Sequence, residues 1–506
     1  MTATTTIPHR YAHWLERKHL EQNLKSKSVS GGIQTIGAQI VAFLMNMAST
    51  IFMARLLTPE DYGIIAMVTS VTGFVLIFKD IGLTQAIIQK DHITQDEVSQ
   101  IFWLNLLIGL LLGVIILLMG PALSHFYKEP RLTNITRVFA FVGILGGLAA
   151  QHTALLNRQM QFKKLALITV LSSCISLATG ILLAYKGWGY LSIAYMTLIQ
   201  AVVQTLLYWT LCNWRPNAFK LTKQIKHYIN FGAGITGFNT INYFSRNLDN
   251  ILIGKLIGAS ALGLYSRAYQ LLMLPISQIR DPLNAVGIPA LSTLNEQPEK
   301  YRTYYKEFLF LFAFFSMPAV VLLFICAEPL ILLILGTKWI SAAPIFRLLA
   351  VTALIQPIAS TRGMIMISTG QSKRYFKWGI WNAVVVIFAF LAGIQWGVNG
   401  VAIGYALANY IILVPSLQFC FKNTPVSVSD FFRTIAPVTG FSLVSGVATW
   451  VLFKELQVQH PLTQILLGLI LFGSIYLTSW MLMKQTRMKL YGIWNLIQTI
   501  VYKRTK

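Results

Sequence analysis

The sequence predicts an all-α polytopic membrane protein with about fourteen transmembrane helices, on three observations. First, 55% of the 506 residues are hydrophobic and only 11% are charged, against about 25% charged in ordinary soluble domains. Second, apolar runs of about 20 residues, long enough to cross the hydrocarbon core, recur from end to end. Third, the polar segments between those runs are short and carry most of the basic residues. A loop bias of that kind is the positive-inside signal.

The elements follow in chain order. Residues 1–30 hold His9, Arg10, Arg17, Lys18, Lys25 and Lys27 and no signal-peptide pattern, which predicts a cytoplasmic tail or surface helix. Six spans near 31–54, 62–78, 100–120, 136–156, 165–185 and 189–211 form a first lobe, 31–211. The stretch 212–227, with Arg215, Lys220, Lys223 and Lys226, is a cytoplasmic linker. Six more spans near 228–254, 261–291, 307–335, 344–369, 376–395 and 398–420 form a second lobe, 228–421. Two further spans, 430–453 and 462–483, lie in the segment 422–483. Residues 484–506 end in an amphipathic stretch, Lys489 to Tyr502, with Leu490, Ile493, Trp494, Ile497 and Val501 at helical spacing, expected to lie in the interface.

An even span count puts both termini on one side. Most of the 41 Lys and Arg fall in the termini and the even-numbered loops, which places both termini in the cytoplasm. The odd loops hold few, among them Arg55, Lys186, Lys255, Lys338 and Lys454. The net charge of +24 is thus a topology signal, and nucleic acid is not expected as a partner. Cys174, Cys212, Cys326 and Cys420 show no ligand or disulfide spacing, and no metal or cofactor is expected.

The two halves resemble each other. "IFMARLLTPEDYG" (51–63) lies over "ILIGKLIGASALG" (251–263), with Arg55 over Lys255 and Gly63 over Gly263, and Lys79-Asp80 matches Arg280-Asp281 after one residue of slippage. Repeats in the same orientation suggest two lobes related by an axis along the membrane normal. "GLLLG" (109–113) and "GVAIG" (400–404) are small-residue packing faces.

Polar residues inside the spans form stripes. On the seventh, Asn239, Asn242, Tyr243, Arg246, Asp249 and Asn250 fall at i, i+3, i+4, i+7, i+10 and i+11, one helical face. On the eighth, Arg267, Gln270, Ser277, Gln278 and Asp281 share a face. Such faces cannot meet lipid and must meet protein or a water-filled cavity. The repeat sets Gln39, Asn46, Ser49 and Thr50 beneath Asn239, Arg246, Asp249 and Asn250, so the first half keeps the stripe without the charge. At 1.5 Å per residue, Arg246 and Arg267 lie about 13–18 Å from the turn near Gly258. Arg280 and Arg362 lie deeper towards the cytoplasm, and Arg347 near the opposite mouth. Asp249, three residues after Arg246, serves to hold it. Four span arginines (Arg246, Arg267, Arg280, Arg362) exceed the two aspartates, Asp249 and Asp281. A surplus of guanidinium calls for an anion, and arginine suits bidentate phosphate contacts.

Other patterns carry less. Pro275, Pro282, Pro289, Pro318, Pro329 and Pro357 make kinks in spans 8–10 plausible. "GAGITG" (232–237) matches a dinucleotide fingerprint but follows no strand. Neither HExxH, GxSxG nor a Walker A run occurs, and no catalytic set assembles.

Four stretches carry a family resemblance: "FKDIGLTQAIIQ" (78–89), "SQIFWLNLLIG" (99–109), "NLDNILIGKLIGASALGLYSRAYQLLMLPISQI" (247–279) and "LGTKWISAAPIFRLLA" (335–350). They resemble the polysaccharide transporter family, the Wzx-type flippases of the multidrug/oligosaccharidyl-lipid/polysaccharide superfamily, nearest to colanic-acid and teichuronic-acid exporters. The resemblance implies two six-helix lobes around a central cavity plus two C-terminal spans, in a bacterial inner membrane. It implies flipping of undecaprenyl-diphosphate-linked oligosaccharide from the cytoplasmic to the periplasmic leaflet by alternating access. The expected partners are that substrate, membrane lipid, and a polysaccharide polymerase and co-polymerase. The expected substrate contacts are Arg246, Arg267, Asp249, Asn242, Asn250, Arg280 and Arg362, with Gln39, Asn46, Asn239 and Gln270 along the polar stripes. A drug/cation antiporter of the same superfamily would favour unpaired carboxylates instead. A membrane polymerase or glycosyltransferase would call for a clustered acidic site, whereas Glu60, Asp61 and Glu129 stand in short loops.

Overall fold

The computed structural model describes residues 11–15, 24–79, 84, 87, 88, 90, 93–219, 243, 247–456, 458, 460–482, 487 and 488. Among them every regular element is helical, and eleven stretches are long and apolar enough to cross a bilayer. This is a multi-pass membrane protein. Asn239, Asn242, Arg246 and the interfacial stretch 489–502 lie outside the described residues. The chain divides into two compact units, Met1–Gly263 and Leu264–Lys506.

The first unit contains α1 (Leu24–Leu56), α2 (Pro59–Leu76), α3 (Gln95–Tyr127), α4 (Leu132–Arg158), α5 (Phe162–Tyr185) and α6 (Tyr190–Leu211). Their starts follow local chemistry. Thr58 and Thr94 each form a capping box, with Asp61 and Glu97 as the returning carboxylates. That box starts α3 five residues before its apolar run and makes it 33 residues long. α3 and α4 meet through glycines: a Cβ on Gly109 would lie 3.2 Å from the Gly143 carbonyl, and one on Gly147 2.6 Å from that of Asn105. The small-residue face at 109–113 is therefore a close-approach seam.

At one end of this unit, Trp14 and Leu15 are buried with Ile87, Phe102 and Trp214. Arg158 holds the cluster together, donating from Nη1 to the Ile87 carbonyl (2.8 Å) and to that of Lys90, and from Nη2 to that of Leu15 (3.4 Å). The Lys164 ammonium lies 5.4 Å from the Trp14 ring centre. At the other end, Arg131 joins Glu129 (2.7 Å) and Glu60 (2.5 Å).

α7 (Ala259–Thr293) carries the chain into the second unit and runs through Pro275, Pro282 and Pro289 without interruption. α8 (Pro298–Ile325), α9 (Ala327–Ile334), α10 (Ala342–Ala359), α11 (Thr361–Ser368), α12 (Ser372–Gly393), α13 (Gly397–Phe421), α14 (Val428–Leu456) and α15 (Pro461–Leu482) follow. Tyr301, Tyr305, Phe308, Phe312, Phe314, Phe421, Phe431, Tyr476 and Trp480 dominate its core. The last two helices thus pack into the second unit. A bidentate pair adds to this: Arg302 donates from Nε and Nη2 to the Asp430 carboxylate at 2.8 and 2.9 Å.

Candidate functional site

The eighth predicted span is α7, and its two faces differ as the spacing predicts. Tyr265, Ala268, Leu272 and Ile276 are buried, whereas Gln270, Gln278 and Asp281 are exposed and Arg267 and Ser277 half-buried. Arg267 Nη1 donates to Gln270 Oε1 at 2.6 Å, the i, i+3 neighbour. Arg280 Nε donates to Asp281 Oδ1 at 2.9 Å, and that carboxylate is 63% exposed. An ion pair so open to its surroundings leaves much of the Arg280 charge available.

Arg362 arrives by a different route. Pro357 lacks an N–H, and the helix yields at Ser360, which closes α10 and opens α11. Arg362 then falls on the second residue of α11, half-buried. Its Nη1 donates to Ser416 Oγ on α13, and its guanidinium carbon lies 5.2 Å from the Trp378 ring centre on α12. Beside it, the Tyr305 and Thr361 hydroxyls lie 3.1 Å apart. Among the described residues Arg362 has no carboxylate partner. Neither Trp378 nor Ser416 was marked by any spacing in the sequence, since they meet Arg362 only through the packing of three helices. Arg347, by contrast, has found an acid, Glu328 Oε2 at 3.4 Å.

In the first unit, Asp249 is buried and its Oδ1 accepts from the Asn250 backbone N–H at 2.8 Å. The side-chain oxygen of Asn250 is buried, with no hydrogen-bond partner among the described residues. Gln39 and Asn46 are exposed on α1. Tyr243 packs against α2, its hydroxyl donating to the Thr69 carbonyl at 2.9 Å, with its ring beside Phe74. That makes it a packing aromatic. Among the described residues, no three His, Cys, Asp or Glu side chains gather as a metal site would require.

The second unit therefore brings three arginines into play: one bonded to a neutral amide, one to an exposed acid, one to a hydroxyl and an aromatic face. Guanidinium groups so arranged have the hydrogen-bonding geometry that suits an oxyanion.

Comparison with known proteins places the chain in a family. Residues 52–344 match the family described as polysaccharide biosynthesis protein. The chain is 27% identical over 381 residues to the teichuronic acid biosynthesis protein TuaB of Bacillus subtilis, covering 72% of this chain and 76% of that protein. It is 23% identical over 457 residues to the lipopolysaccharide biosynthesis protein WzxC of Escherichia coli, covering 90% of each. Its fold is shared with the lipid II flippase MurJ in an inward closed conformation, at a TM-score of 0.71 and 15% identity, covering 88% of this chain and 98% of that one.

Proposed function

We propose a transport function from one premise: the chain belongs to the polysaccharide biosynthesis protein family. It carries undecaprenyl-diphosphate-linked oligosaccharide from the cytoplasmic to the periplasmic leaflet of a bacterial inner membrane, by alternating access. The architecture that goes with this role is fourteen spans, as six (31–211), six (228–421) and two (422–483), with both termini cytoplasmic. A polysaccharide polymerase and co-polymerase act on the product. A fold shared with a lipid II flippase and kinship with glycan biosynthesis proteins support a lipid-linked glycan as cargo.

The observation that carries the reading is Arg362. A guanidinium at membrane depth that meets, among the described residues, a hydroxyl and an indole but no carboxylate is incompletely neutralised. A diphosphate completes it with charge-assisted hydrogen bonds worth about 1.5–3 kcal/mol each. Arg267 and Arg280 on α7 provide further cationic contacts, and Gln270 orients Arg267. Arg246, Asp249, Asn242 and Asn250 belong to the same proposal through their spacing on the seventh span. Flipping a headgroup between leaflets breaks no bond, so the proposed role is transport rather than catalysis.

The test is genetic and chemical. Deleting the gene should leave a lipid-linked glycan on the cytoplasmic leaflet, and re-expression should clear it. Arg362→Ala and Arg267→Ala should each fail to clear it at normal protein level. Absence of any accumulated glycan in the deletion strain would refute the transport reading.

A further inference from the structure

Where α3 ends, the surface holds a cleft of about 510 Å³ lined by Ser124, His125, Phe126, Lys128, Pro130 and Lys255. Two remote stretches build it. Lys128 caps α3 in the left-handed conformation (φ 57°, ψ 38°), and the helix over 247–256 delivers Lys255. Lys255 Nζ donates to the Phe126 carbonyl and lies 4.6 Å from the centre of the Phe126 ring. Two acids of the adjoining segments are engaged elsewhere. Glu129 accepts from Arg131 Nε and Nη2, each at 2.7 Å, and Glu60 accepts from the same guanidinium at 2.5 Å. Among the described residues neither Lys128 nor Lys255 has a carboxylate partner.

Two bland roles fail to account for the lysines. The C-terminus of α3 carries about half a negative elementary charge, which two ammonium groups exceed. A left-handed cap is held at lower backbone cost by glycine or asparagine than by lysine, so the backbone does not select Lys128. Topology sharpens the point. On the positive-inside reading this end of α3 faces outward, where Lys and Arg are scarce, yet two of them converge on one cleft.

We propose that this cleft binds a phosphate-bearing lipid headgroup at the outer surface of the membrane. The ammonium groups meet the phosphate oxygens, while Phe126 and Pro130 provide an apolar wall beside the acyl boundary. Its volume suits a phosphate or a diphosphate with part of its substituent. The headgroup belongs either to the polyprenyl carrier or to a resident anionic phospholipid. The site goes beyond the transport reading and does not depend on it.

The test is native mass spectrometry of the purified full chain with undecaprenyl diphosphate or phosphatidylglycerol at matched concentration. Lys128→Gln and Lys255→Gln should each weaken the lipid adduct about five-fold, and the double variant about twenty-fold. Lys128→Gly separates charge from structure: it relaxes the backbone, so thermal stability holds or rises while the adduct still falls about five-fold. Preference for undecaprenyl diphosphate identifies the carrier as the source, and equal binding of phosphatidylglycerol identifies resident lipid. Unchanged adducts of both lipids in well-folded Lys128→Gly would overturn the site. Because the transport variants at Arg267 and Arg362 leave this cleft intact, failure of either idea is visible without the other.

Discussion

Replacing Arg362 with glutamine separates a transport role from a structural one, because the two predict opposite effects on stability. Among the described residues Arg362 makes one charge-assisted hydrogen bond, to Ser416, and one cation–π contact, with Trp378. The first contributes about 1.5–3 kcal/mol and the second about 0.5–2 kcal/mol. Against them stands the desolvation of an ion with no counter-charge among the described residues, several kcal/mol in magnitude. The sum lies near zero. Arg362→Gln keeps an amide for Ser416 and removes the ion, so the empty variant should unfold within about 1 kcal/mol of the parent, or above it. Ligand then discriminates. Undecaprenyl diphosphate at a hundred times its dissociation constant should stabilise the parent by about 2.7 kcal/mol and the variant by much less. Thermal unfolding in detergent, with and without the lipid, reads both quantities. Arg362→Lys retains charge but loses the planar fork and should fall between them. A loss above about 3 kcal/mol in the empty variant, with lipid stabilisation unchanged, would show that Arg362 is a strut within the helix bundle and that its charge does not face substrate.

Three further outcomes follow from the packing. Gly147→Val should cost about 1–3 kcal/mol, because its Cβ would lie 2.6 Å from the Asn105 carbonyl, whereas Gly473→Ala, with nothing within 4 Å, should be tolerated; thermal unfolding compares them. Asp430→Asn should lower the unfolding temperature, since Asp430 accepts from Arg302 and also from the Ser427 N–H and hydroxyl at 3.0 and 2.7 Å. In the Glu129–Arg131 pair, the guanidinium's hydrogen bond holds the Glu129 carboxyl below the usual glutamate range. A depressed carboxyl contributes stability above its unfolded pKa of about 4.3 and loses it as pH falls through the folded value. Acid unfolding of Arg131→Gln should therefore lack that part of the dependence below about pH 4.

What was legible in the sequence and what was not divides along the range of the forces involved. Hydropathy located the stretches that hold α1 to α15 because burial in a bilayer is written into every residue of a span, but it read α8 with α9, and α10 with α11, as one span each. It misjudged their ends. The apolar run of α3 covers 100–120, but Thr94 and Glu97 start the helix at Gln95 and Lys128 closes it after Tyr127. Caps are chemical rather than hydropathic. Periodicity likewise found the Arg267–Gln270 contact, an i, i+3 pair on one helix, and the split between the buried and exposed faces of α7. It could not find Ser416 or Trp378 beside Arg362, nor Glu328 beside Arg347, since those partners come from other helices. That difference changes the argument for an anionic ligand. Counting span arginines against span aspartates treats all charges alike, but neutralisation is a property of each contact. Arg347 has an acid across a helix interface and carries little of the surplus, whereas the exposed pair with Asp281 neutralises Arg280 only in part. On the proposed reading Arg362 carries most of it, since among the described residues it meets a hydroxyl and an indole where an acid would have neutralised the charge. The proposed substrate's phosphate would supply that missing counter-charge.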